Sequence, residues 1–110
     1  MEVSVRLQQL LDRYPVCVFM RGCPEQPSCR ESLEAIETLT DAGVSFHSVD
    51  IQRDPELRAL LQKSPDYSEL PQVFLNGQCL GGATLLRELH VQGELVPMVE
   101  QLDVQYQLTG

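Results

Sequence analysis

The chain has 110 residues, 43% of them hydrophobic, and its sixteen acidic and eight basic residues give a net charge of −8. That length is one domain's worth (residues 1–110) and buries enough surface to fold without staples. The charge argues against nucleic acid or an anionic membrane as partner, and no apolar run reaches the roughly eighteen residues that span a bilayer.

The opening Met1-Glu2-Val3-Ser4-Val5 has neither a basic nor an apolar stretch. It does not read as a signal peptide, so the expected setting is the cytoplasm, or an organelle matrix if a leader has been removed. Val5, Leu7, Leu10 and Leu11 recur at helical spacing over residues 4–13, with Ser4 as the expected N-cap, and Pro15 closes that helix. Pro15 to Met20 is a short apolar run that suits a strand buried on both faces. Arg21 to Ser28 holds Gly22, Pro24 and Pro27 and reads as a loop. A helix is expected from Cys29 to about Asp41, with Gly43 as its stop. Val44 to Ile51 alternates as a second strand. Asp54-Pro55-Glu56 then supplies a cap, a proline at the first helical position and an acid in the first turn.

A loop containing Pro65 and ending at Pro71 leads into the strand Gln72 to Leu75. Asn76-Gly77 is the strongest hairpin signal in the chain, with Gln78 to Leu80 as the partner strand. Gly81-Gly82 precedes a helix that Gly93 breaks, and Leu95 to Leu102 forms a last short helix. The order predicts an α/β domain: one mixed four-stranded sheet, its first two strands parallel and its last two a hairpin, with helices on both faces.

The four cysteines are Cys17, Cys23, Cys29 and Cys79. No Cys-x-x-Cys pair exists, and neither His47 nor His90 completes a zinc-ligand spacing. Cys17 and Cys79 fall on strands and read as packing residues. Cys29 opens a helix, where unpaired N–H groups and the helix dipole favour the thiolate, the reactive and metal-binding form of the side chain. Arg21 and Arg30 add positive charge nearby, whereas Glu31 works against it. A blander reading makes Ser28 and Glu31 a capping box.

The run Phe19-Met20-Arg21-Gly22-Cys23-Pro24-Glu25-Gln26-Pro27-Ser28-Cys29 resembles the Phe-Met-Lys-Gly-Thr-Pro-Glu-Gln-Pro-x-Cys stretch of the monothiol glutaredoxins. Asp54 to Arg58, Leu70 to Gly77 and Gly81-Gly82 follow in the family's order, so the likeness covers nearly the whole chain. It implies the thioredoxin fold and a glutathione site. In that site Cys29 is the catalytic thiol, Leu70 precedes a cis Pro71 and pairs through its backbone with the ligand, Arg21 and Arg58 hold the glycine carboxylate, and Ala83 and Thr84 receive the γ-glutamyl end. The family role is carriage of a [2Fe–2S] cluster to iron–sulfur client proteins, with Cys29 as the metal ligand from each protomer of a cluster-bridged homodimer and glutathione supplying the other two thiolates.

The family signature Cys-Gly-Phe-Ser stands here as Cys29-Arg30-Glu31-Ser32. Arg30 and Glu31 are expected to crowd the surface that faces a partner, and Ser32 replaces the second thiol of a dithiol enzyme. The Trp-Pro-Thr that usually precedes the cis-proline pair is missing, Glu69 adds an acid near the site, and Ala83-Thr84 replaces Cys-Asp. Two further readings follow. One is a glutathione-dependent thiol–disulfide oxidoreductase using Cys29, resolved by a loop disulfide with Cys23. The other is a redox-inactive binding module on the same fold.

Overall fold

The computed structural model describes residues 2–63 and 70–101. Helix α1 (Val3–Arg13) follows the apolar spacing, but its N-cap is Glu2, not Ser4. The carbonyl of Glu2 accepts from the N–H groups of both Val5 and Arg6, which draws Ser4 into the first turn.

Strand β1 (Val16–Met20) is buried at every position. Alternate side chains leave its two faces. Val16, Val18 and Met20 enter one core with Ala35, Leu39 and Leu86, while Cys17 and Phe19 enter a second with Leu57 and Leu61. That division explains why the sequence reads as an unbroken apolar run.

Residues 21–28, expected as a loop, fold into a small hairpin of β2 (Gly22–Cys23) and β3 (Gln26–Pro27). Gly22 makes it possible. Its φ is +87°, and a Cβ there would lie 2.6 Å from the Gln26 carbonyl oxygen. The hairpin also removes the capping box of the blander reading. Ser28 N–H donates to the Arg21 carbonyl at 2.9 Å, so the N-cap of α2 (Arg30–Asp41) is Cys29. At the other end Val44 N–H closes on the Leu39 carbonyl, with Gly43 left-handed between them. Val44 is thereby committed to the helix stop. Ile51 enters a 3₁₀ turn (Ile51–Arg53), so strand β4 (His47–Asp50) is shorter than the expected 44–51.

Asp54 caps α3 (Pro55–Gln62) by accepting from Leu57 N–H, as its sequence predicts. Asn76 (φ 50°) and Gly77 (φ 82°) form the tight turn between β5 (Gln72–Leu75) and β6 (Gln78–Gly81). Helix α4 (Ala83–Val91) stops at left-handed Gly93, and residues 95–101 are again helical. Leu102, the expected end of that helix, lies outside the described residues, as does the expected loop at Pro65.

The sheet order is β4-β1-β5-β6, with β1 and β4 parallel and the other neighbours antiparallel. Helices α2 and α4 cover one face and α1 and α3 the other. This is the mixed, doubly covered sheet that the element order predicts.

Candidate functional site

One end of the sheet collects the strand and helix ends that sequence reasoning singled out. Strand β1 runs into that end at Met20, level with the last residue of β4, Asp50. Strand β5 runs the opposite way and begins there, Gln72 facing Phe19. The Leu70–Pro71 peptide just before it is cis, as expected, and both residues are buried. A Cβ on Gly82 would lie 3.4 Å from the Pro71 carbonyl oxygen, so the β6–α4 junction sits against the proline. Arg21, Cys29, Leu70, Pro71, Ala83 and Thr84 are thus on elements that meet at one end.

Cys29 is half-buried at the N-cap of α2, and neither it nor Gly82, the N-cap of α4, caps its helix through a side chain. Two helix N-termini therefore open toward the same end with their first N–H groups free of side-chain caps, a setting that favours anions. The Cys29 Sγ is 3.1 Å from Ser32 Oγ. Ser32 is fully buried, and its oxygen also accepts from the Arg21 N–H at 3.2 Å. Arg21 is half-buried and Thr84 exposed, while Ala83 is in the core.

Arg30 departs from expectation. Its Nε pairs with Glu34 one turn along, at 3.3 Å, on a side chain that is 86% exposed. Its charge is directed along the outer face of α2 and not to the sulfur. Arg58 is on α3 and its Nε is buried without a hydrogen-bond acceptor among the described residues; the Gln72 Nε2 is in the same position. Glu69 lies outside the described residues.

None of the four cysteines is in a disulfide. Cys17 is fully buried, and burial pushes its thiol up to about 12. Cys23 is exposed in β2, opposite Gln26. The ladder runs from that pair through Gly22 and Pro27 to the Ser28–Arg21 bond, which places Cys23 and Cys29 about three rungs, or roughly 10 Å, apart. Disulfides need Cα atoms closer than about 7 Å, so the intact hairpin disfavours the Cys23–Cys29 bond.

Two contributors were not anticipated. Ser32 was seen only as a missing thiol, although its i+3 spacing from Cys29 carries the signal that the side chains meet. Asp50 has no sequence signal of its own. Its Oδ1 accepts from both Gly22 N–H and Gln52 N–H at 3.1 Å, and its Oδ2 is 3.5 Å from Arg53 Nε.

Residues 16–80 match the family model described as Glutaredoxin. The chain is 35% identical over 108 residues to monothiol glutaredoxin-S11 of Oryza sativa subsp. japonica, covering 98% of this chain but only 22% of that longer protein. It is 31% identical over 101 residues to glutaredoxin 4 of Escherichia coli K12, covering 92% of this chain and 88% of that one. The solution structure of reduced poplar apo GrxS14 superposes with a TM-score of 0.80 at 26% identity, over 93% of this chain and 94% of that chain. The crystal structure of a buckwheat glutaredoxin–glutathione complex shares the fold, with a TM-score of 0.77 at 22% identity over 92% of this chain and 93% of that one. No helix among the described residues is long and apolar enough to cross a membrane. With its family model matched over more than half its length and a bacterial relative aligned almost end to end, the chain belongs to the glutaredoxin family, among its monothiol members.

Proposed function

We propose that the chain binds glutathione through Cys29 and acts by monothiol chemistry, with a [2Fe–2S] cluster as cargo shared between two copies. The observation that carries this reading is the Cys29–Ser32 pair: a half-buried sulfur at an uncapped helix N-terminus, met by a hydroxyl where a dithiol enzyme has a second thiol. Arg58 supports glutathione as the ligand. Its half-buried guanidinium supplies a permanent positive charge of the kind that pairs with a ligand carboxylate. A glutaredoxin of the same fold has been crystallised with glutathione.

The Cys29 thiolate attacks one sulfur of oxidised glutathione, the protein–glutathione disulfide forms as the oxidant's disulfide breaks, and glutathione thiolate leaves and takes a proton from water. Ser32 has no sulfur with which to resolve that mixed disulfide, so a second glutathione must attack it. Arg21, Arg58, the Leu70 backbone and the N–H groups at Ala83 and Thr84 hold the tripeptide during both steps.

The donor set bears on the cluster. Among the described residues no three metal-ligating side chains converge, and a [2Fe–2S] cluster takes four ligands. Cys29 from each of two copies and two glutathione thiolates complete that number. Anaerobic reconstitution with iron, sulfide and glutathione tests it. A visible chromophore on a dimer, lost when glutathione is omitted or in Cys29→Ser, is the expected result. A chromophore that survives either change, or none at all in the wild type, contradicts the cluster reading.

A further inference from the structure

The backbone at Arg21 and Gly22 is held by three hydrogen bonds from two other segments. Arg21 N–H donates to Ser32 Oγ at 3.2 Å, the Arg21 carbonyl accepts from Ser28 N–H at 2.9 Å, and Gly22 N–H donates to Asp50 Oδ1 at 3.1 Å. The first two contacts belong to the segment that carries Cys29. The third comes from the end of a different strand, twenty-eight residues away. Asp50 is itself fixed, because Oδ1 also accepts from Gln52 N–H at the start of the 3₁₀ turn and Oδ2 faces Arg53.

We infer that Asp50 is a positioning residue for Cys29, acting through the Gly22 amide and the hairpin. The hairpin is two residues long on each side and has no core of its own, so its ladder alone is marginal. Gly22 holds φ +87°, a conformation that an untethered glycine exchanges freely with others. An Asp50 oxygen accepting from its N–H selects one of them. That choice fixes Arg21, whose N–H sets Ser32 Oγ, the atom 3.1 Å from the Cys29 sulfur. The active quality of Asp50 is acceptance of a hydrogen bond and not charge, since the Arg53 partner is 88% exposed and contributes little.

The inference rests on Cys29 being the reacting thiol but not on glutathione recognition, so its test uses iodoacetamide. Second-order alkylation rates at Cys29 and, as an internal reference on β6, at Cys79 are measured by mass mapping at neutral pH in the full chain. Asp50→Ala is expected to slow Cys29 about tenfold relative to Cys79. Asp50→Asn, which keeps an acceptor oxygen, recovers most of the rate, and Arg53→Ala changes it less than twofold. If Asp50→Ala fails to fold, amide exchange in the wild type decides: Gly22 N–H should be protected well beyond the amide of Glu25 at the hairpin tip. An unchanged Cys29 rate in Asp50→Ala, equal slowing of Cys29 and Cys79, an Asn variant as slow as Ala, or a Gly22 amide that exchanges as fast as the tip overturns the inference.

Discussion

Ser32 Oγ stands 3.1 Å from the sulfur of Cys29 and 3.2 Å from the backbone nitrogen of Arg21. The amide can only donate, so the hydroxyl oxygen is its acceptor, and the second lone pair of that oxygen accepts from the Cys29 thiol. A buried hydroxyl with these two partners holds the Cys29 sulfur in one position at the start of α2. Ser32→Ala should therefore slow alkylation of Cys29 about three- to tenfold, the scale of one lost hydrogen bond that positions the sulfur. Rates mapped by mass spectrometry check it, and an unchanged rate means the hydroxyl does nothing for the thiol.

The same geometry predicts the outcome of restoring a second thiol. In Ser32→Cys the new sulfur starts near the position of Ser32 Oγ, about 1 Å beyond bonding distance from the Cys29 sulfur. Mild oxidation should then give an intramolecular disulfide between Cys29 and the introduced thiol, visible as loss of two alkylatable thiols. Failure to form it would show that the α2 N-terminus is more rigid than the bond requires.

Burial of Cys17 carries a pH dependence. The unfolded chain releases this proton near the ordinary value of 9.0, whereas the folded chain holds it up to about 12. Between those values the unfolded state binds fewer protons, so the contribution is complete below pH 9 and is lost as pH rises toward 12. Denaturant titrations of the wild type and Cys17→Ala should show stability of the wild type falling more steeply across that window. Parallel curves would contradict the assignment.

Asp54 links two helices. Its hydrogen bond with Arg6 of α1, at 2.9 Å, holds the carboxyl below its usual range, and its bond from Leu57 N–H at the cap of α3 acts in the same direction. A depressed carboxyl stabilises above its unfolded value and loses that contribution as pH falls through the folded one. Asp54→Ala should cost about 1–2 kcal/mol at neutral pH, mostly as a lost cap, and less in strong acid. Thermal melts at both pH values measure the difference.

The altered signature makes a separate prediction. Replacing Arg30 and Glu31 with Gly and Phe should strengthen cluster retention after reconstitution, by removing two exposed charged side chains from the first turn of α2, on the surface expected to face a partner. Equal retention in wild type and variant would show that these residues do not impair the site.

How much of this was legible beforehand depended on whether the signal was local. The α3 start at Asp54-Pro55, the Asn76-Gly77 turn and the glycine stops after α2 and α4 are written in a few adjacent residues, and each appears where its chemistry demands. The placement of Cys29 at a helix start was legible for the same reason. Three things were not. The capping box failed because Ser28 N–H is taken by Arg21, a partner in a hairpin with almost no strand propensity of its own. Strand β4 came out short because the ends of its neighbours claimed Val44 and Ile51. Asp50 reached Gly22 only through the parallel pairing of β4 with β1, a contact that no local pattern encodes.

Cys29 as the thiol that exchanges with glutathione is the claim on which the rest depends. Its most direct test is to incubate the reduced chain with oxidised glutathione at neutral pH and map the adduct among the four cysteines by mass spectrometry. Glutathione is expected on Cys29 well before exposed Cys23 or half-buried Cys79, with none on buried Cys17, and free glutathione should release it. An adduct that forms first on Cys23 or Cys79, or a Cys29 that stays unmodified while those two react, would contradict it.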